Sequence, residues 1–316
     1  MSALAVSLVP LLALGWGAVL RRAARAEARA EAAYPPEGEF LEICGHRVHA
    51  VVRGTGPDLV LIHGMSGNTR DFTHGLVDRL ARDYRVIVFD RPGLGYTDPV
   101  HHKGVGIDLQ AQFLQKAAFE LGAERPIVMG QSYGGTVALA WAVRHPDNIS
   151  ALVPVAAPSQ TWDGKAPLLY RVTSSPLLAP VVIPALTAFV RDRQINRQLA
   201  GIFEPQRPPE GYGDHVGAGL TLRRGSMRVN AQHRMGLNEE IRALVPHYCT
   251  IAVPVEIVHG DADTTVGLDI HSTRLVRQIS DARLTVLKGV GHMPHHVAQE
   301  DVIAAIHRAA ARAGLR

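Results

Sequence analysis

Cysteine is nearly missing from this chain, with Cys44 and Cys249 the only two in 316 residues. The pair has no metal-ligand spacing, and each sits beside an apolar, strand-like run. They are therefore expected as small buried hydrophobes rather than as a disulfide. Lysine is scarce too: Lys103, Lys116, Lys165 and Lys288 are the full set. The net charge of +4 and the pI near 9.3 thus come from arginine. Those arginines are scattered among 29 acids instead of being gathered with aromatics on one segment, which argues against a nucleic-acid partner. No internal repeat is present. What is abundant is apolar residue, 47% of the chain, enough for a sizeable core in one large α/β domain or two smaller ones.

A secretory signal carries positive charge ahead of its apolar region, and here none precedes the run from Ala3 to Leu20. Arg21, Arg22, Arg25 and Arg29 follow it instead. Residues 1–20 are read as an uncleaved apolar membrane anchor, and the positive-inside rule then places the body on the cytoplasmic side. Residues 21–37 mix arginine and glutamate on alanine until Pro35 and Pro36, the composition of a solvated helical stalk.

Beyond the stalk, short apolar runs alternate with helical spacing. Glu39 to Cys44 and Arg47 to Arg53 read as strands around a Gly45-His46 turn. Leu59 to Ile62, Val86 to Phe89, Pro126 to Met129 and Ile149 to Ala157 follow as strands, with helices expected over Asp71 to Tyr84 and Ile107 to Leu121. Strands resume at Val253 to Val258 and Leu284 to Leu287, separated by a helix over Leu268 to Ile279 and closed by one over Val302 to Arg312. This alternation predicts a mostly parallel sheet with helices on both faces, binding ligands outside the carboxyl ends of its strands. Between Trp162 and Tyr248 the rhythm fails and prolines recur. That length is too great for a loop and predicts a helical insertion over the ligand-binding end.

The chemistry is carried by Gly130-Gln131-Ser132-Tyr133-Gly134-Gly135, set between a strand and a helix. In this Gly-x-Ser-x-Gly pattern the glycines permit a turn tight enough to hold the serine hydroxyl above the strand end. Such a hydroxyl needs a base oriented by a carboxylate. Sixteen histidines are available, so placement decides among them. His292 lies in a glycine-flexed loop after the last strand, with His295 and His296 its nearest competitors, while His271 and His307 read as surface residues on helices. For the acid, Asp263 stands at the far side of the turn after Val258 and is preferred to Asp261, which can bond that turn's own backbone. The backbone N–H groups of Tyr133 and of Met65, in His63-Gly64-Met65 after the third strand, are the candidate oxyanion donors.

The order Ser132, Asp263, His292, with His63-Gly64 early and Asp90-Arg91-Pro92-Gly93-Leu94-Gly95 after the fourth strand, resembles the α/β-hydrolase superfamily over residues 38–316. The resemblance implies an eight-stranded, mostly parallel sheet with helices on both faces. It also implies a core of residues 38–159 and 249–316 and a helical cap, residues 160–248, inserted after strand 6. Relatives similar to haloalkane dehalogenases or epoxide hydrolases carry aspartate at the nucleophile position, and dienelactone-type members carry cysteine; this chain has serine. The implied activity is a serine hydrolase cleaving a carboxylic ester through an acyl-enzyme, without metal or organic cofactor. A carbon–carbon (β-diketone) hydrolase or an amidase or peptidase on the same triad is the alternative, and a non-catalytic binding module stands behind both. Apolar residues at 167–169, 177–178 and 181–190, together with the anchor, favour a small apolar, lipid-like ester, while burying the cap against the core is the equal and commoner use of such a stripe. Arg191, Arg193, Arg197, Arg223 and Arg224 are candidate contacts for an anionic substrate group, although such arginines more often form solvated faces.

Overall fold

A computed structural model describes residues 3–101 and 104–316. Lys103 lies outside these residues, as do the side chains of residues 3–9, Asp192, Arg193 and Asn196. Eight strands form one sheet in the order β1-β2-β4-β3-β5-β6-β7-β8. They are β1 (Glu39–Ile43), β2 (His46–Arg53), β3 (Asp58–Ile62), β4 (Arg85–Phe89), β5 (Ile127–Gln131), β6 (Ala151–Val155), β7 (Val255–Gly260) and β8 (Ala282–Leu287). From β4 across to β8 every pairing is parallel, and only β1 and β2 run antiparallel to their neighbours.

The side-chain period of two divides the core. Val60, Ile62, Ile87, Phe89 and Val128 face the helices Ile107–Glu120 and Tyr133–Arg144. Leu59, Leu61, Val86, Val88 and Ile127 face the helix Gln299–Arg312 and the short helices near Phe72 and Leu76 on the other side. Continuous apolar strands are what a sheet covered on both faces requires. Parallel register then puts the loops after β3, β4, β5, β7 and β8 on one rim.

The expected helix over 71–84 is two pieces, Arg70–Thr73 and Leu76–Leu80, because Gly75 turns to φ 97° between them. The helix expected over 268–279 is confined to Ser272–Gln278. Both cysteines are free and exposed rather than buried. Cys44 ends β1 at a tight turn with φ 52°, and a turn at a sheet margin has no core to enter.

Between β6 and β7 no strand occurs. Helices Leu168–Ser174, Ala179–Phe189, Asp192–Phe203, Tyr212–His215, Ala218–Thr221 and Arg224–Leu244 fill the insertion. It is tied to three rim loops. Asn68 Nδ2 donates to Val216 O at 2.9 Å, Gln206 exchanges hydrogen bonds with Gly289 and Gly291, and Val229 packs on Gly93.

The N-terminal helix runs unbroken over Ala3–Ala33. Its second half is not a solvated stalk. Ala23 and Ala30 are buried, Glu27 forms a paired salt bridge with Arg224, and Glu31 reaches Arg223. Small alanine side chains let this half lie close against the insertion, with Ala30 against Gly219. From Pro10 to Ala18 only Trp16 is partly covered, so an apolar stretch projects from the body. Among the described residues no single helix is long and apolar enough to cross a membrane. Leu168–Ser174 and Ala179–Phe189 meet that measure only together, across a 118° bend.

Candidate active site

Ser132 sits at the junction of β5 and the helix Tyr133–Arg144 with φ 51° and ψ −125°. That conformation is sterically costly for a residue with a Cβ, and the neighbouring glycines make it attainable. A Cβ on Gly130 would strike the Gly134 carbonyl, and one on Gly134 would strike the Ile62 carbonyl. The turn therefore brings Ser132 directly beside the loop that follows β3.

His292 and Asp263 meet it there. Ser132 Oγ lies 3.0 Å from His292 Nε2, and His292 Nδ1 lies 2.7 Å from Asp263 Oδ2. A carboxylate only accepts, so Nδ1 carries the proton and donates, leaving Nε2 to accept from the serine hydroxyl. Asp263 is strongly held. Its Oδ1 accepts from the N–H groups of Thr265 and Val266, and His259 Nε2 stands 3.2 Å from Oδ2. Burial alone would raise its pKa, but the hydrogen bonds from His259, His292 and Val266 hold it well below the usual carboxylate range. His259 was not singled out from sequence. Its position four residues before Asp263, at the end of β7, is the only local signal.

The competing residues have other partners. Asp261 Oδ1 accepts from Gly289 N at 2.6 Å, bracing the loop that leads to His292. His295 and His296 turn to Asp71, with Nε2 atoms 3.1 and 2.9 Å from its two oxygens, and the Tyr212 hydroxyl of the insertion donates to Oδ1 at 2.8 Å. This buried trio has the composition of a metal site. A metal-bound imidazole, however, normally passes its second ring N–H to an acceptor, and neither Nδ1 has a partner among the described residues. The arrangement suits a carboxylate satisfied by three donors. Burial would raise the Asp71 pKa, and the two imidazoles pull it well below its ordinary value. The cluster thereby fastens the insertion to the segment carrying His292.

His271, expected at the surface, is buried, because its Nδ1 accepts from the N–H groups of both Ser159 and Gln160 after β6. His307 is half-buried against the Tyr84 hydroxyl. Arg223 and Arg224 are engaged by Glu31 and Glu27 and so are not free for a substrate anion. Arg191 and Arg197 are exposed, and the Arg193 side chain lies outside the described residues.

Tyr133 directly follows Ser132, and Gly64, the residue before Met65, comes beside it: a Cβ on Gly64 would lie 3.2 Å from Ser132 Cβ. The loop containing Met65 is built on Arg91, which is fully buried and donates to the carbonyls of His63 and Gly64, both at 2.9 Å. Burial lowers the Arg91 pKa to about 10, which leaves it charged at neutral pH. His63 Nδ1 donates to Gly64 O at 2.9 Å and its Nε2 accepts from Arg91 N at 3.0 Å. Burial and the Arg91 charge push His63 down to about 4, so this imidazole is neutral. The Tyr133 ring lies under Arg91, its hydroxyl accepting from Gln110. The ring is part of the core and fully buried. Gln131 Nε2 donates to His292 O at 3.1 Å, linking the nucleophile turn to the histidine loop.

An eight-stranded, mostly parallel sheet with serine, histidine and aspartate gathered on one rim defines an α/β hydrolase. The family model for the alpha/beta hydrolase fold matches residues 57–299, and the chain belongs to that family. Haloalkane dehalogenase 2 of Mycobacterium tuberculosis is 27% identical over 86% of this chain and 94% of its own length. The pimeloyl-(acyl-carrier protein) methyl ester esterase of Vibrio atlanticus is 41% identical over 38% of this chain and 44% of its own. Among solved structures, a membrane phospholipase A superposes with a TM-score of 0.66 over 98% of this chain and 99% of its own, at 19% identity.

Proposed function

We propose that this hydrolase cleaves carboxylic esters of apolar, lipid-like acids through an acyl-enzyme on Ser132. His292 takes the Ser132 proton and returns it to the leaving alcohol; it then activates the water that releases the acid. Asp263 fixes the imidazole tautomer and stabilises the imidazolium. The N–H groups of Met65 and Tyr133 receive the developing oxyanion. The observation that carries this reading is the continuous hydrogen-bonded relay from Ser132 Oγ through His292 to Asp263.

Preference for an apolar acyl group is supported by the insertion. Leu177 is 84% exposed and Leu168 69% exposed, so these side chains are not spent on burying the insertion against the core. The esterase and the membrane phospholipase A that the chain resembles agree with an ester substrate. The exposed apolar stretch from Pro10 to Ala18, followed by arginines, supports attachment of residues 1–20 to a membrane with the body on the cytoplasmic side.

The test is a series of p-nitrophenyl esters of increasing acyl length assayed with the wild type and Ser132→Ala. Turnover should rise from acetate toward medium chains, and Ser132→Ala should lose about 10³-fold or more in kcat. A wild type active on no ester yet labelled by a fluorophosphonate would move the assignment to carbon–carbon or amide hydrolysis.

A further inference from the structure

We propose that Asn230, on the insertion helix Arg224–Leu244, is a positioning residue for the oxyanion loop, holding the turn that presents the Met65 N–H to the reacting carbonyl. The inference rests on the serine-hydrolase reading above and assigns part of that site to the insertion.

Gly64, Met65, Ser66 and Gly67 form a turn closed by Gly67 N–H to Gly64 O at 3.4 Å. Its third residue, Ser66, has φ 58°, a left-handed conformation usually supplied there by glycine. Left to itself a serine relaxes to negative φ. Doing so rotates the Met65–Ser66 peptide and displaces the loop around Met65.

The restraint comes from the insertion. Ser66 N–H donates to Asn230 Oδ1 at 3.0 Å, Asn230 Nδ2 donates to Ser66 Oγ at 2.9 Å, and the Thr221 hydroxyl donates to Ser66 O. All three polar groups of Ser66 are therefore held from one side. Asn230 is only 4% exposed, so water cannot readily replace what it supplies. Residues just before Met65 are fixed from the core by Arg91, through the carbonyls of His63 and Gly64. Met65 lies between these two anchorages, one in the core and one in the insertion. The two residues that bond at Ser66 and Asn230 are 164 positions apart in the chain.

The experiment measures p-nitrophenyl butyrate turnover and the fluorophosphonate labelling rate for the wild type, Asn230→Ala, and Asn230→Ala combined with Ser66→Gly. Asn230→Ala should lower kcat and the labelling rate at least about tenfold, with KM changed far less, since the lost interaction is felt in the transition state. Glycine takes φ 58° without strain, so the double variant should regain most of that loss. A residue needed only to pack the insertion would not be rescued by a glycine in another segment. Thr221→Val, which removes only the donor to Ser66 O, is the second variant and should lower kcat in the same direction if Asn230→Ala does not fold. Wild-type kcat in a folded Asn230→Ala, or a double variant no faster than the single one, overturns the proposal. Failure of the wild type itself to be labelled overturns the serine-hydrolase reading instead.

Discussion

His63 and His271 are histidines that the fold keeps neutral, and this has a sign in stability. Burial lowers both to about 4, from an ordinary value of 6.5. Between those values the unfolded chain binds protons that the folded chain refuses, so stability is full above pH 6.5 and is lost as the pH falls toward 4. Each of the two contributes up to about 1.4 kcal/mol per pH unit across that window. His296, His233 and His215 are shifted in the same direction. Urea midpoints at pH 7.5 and pH 5 check this; a midpoint that is flat or higher at pH 5 would contradict it. At this scale the sequence was informative where a residue follows a strand end. Ser132, Asp263 and His292 could be chosen because chain position alone puts them on one rim. His271 was misplaced because its partners, the Ser159 and Gln160 amides, come from more than a hundred positions away. Asn230 was invisible for the same reason.

The strand–turn–helix around Ser132 is the element on which the chemistry depends, and its glycines act through close approach. Gly134→Ala would press a methyl group against the Ile62 carbonyl. It should cost about 1–3 kcal/mol of stability, as overpacking does elsewhere, and displace the Tyr133 N–H. Thermal unfolding together with ester turnover reads both effects: a lower midpoint and much lower kcat are expected, and a neutral variant would show that the helix has room to move. Elements built on long apolar periodicity were legible in the sequence, the buried strands above all. Those that depend on a single backbone angle were not. Gly75 at φ 97° splits one expected helix, and nothing local marks it as different from a glycine a helix tolerates. Residues 21–33 had the composition of a solvated stalk, yet Ala23, Glu27 and Ala30 share one face that docks on the insertion. Alanine at helical spacing gives weak hydrophobic contrast, so that face could not be distinguished from sequence.

Over the whole molecule, the insertion reaches two of the loops around the site and the N-terminal helix as well. It braces the oxyanion loop through Ser66, the histidine segment through Asp71, and the N-terminal helix through Arg223 and Arg224. The leucines at 168 and 177 and the projecting helix residues Leu11, Leu12 and Leu14 are exposed apolar side chains. Replacing Leu11, Leu12 and Leu14 with glutamate should move the protein from the carbonate-resistant membrane fraction to the supernatant while leaving p-nitrophenyl butyrate turnover intact. Wild-type protein already in the supernatant would remove the anchor from the account. Covalent catalysis by Ser132 is read most directly by peptide mapping with mass spectrometry after fluorophosphonate treatment. A single phosphonyl adduct is expected on the peptide containing Ser132, slowed in His292→Ala and missing in Ser132→Ala. An adduct on another residue, or a folded wild type that takes none, would contradict it.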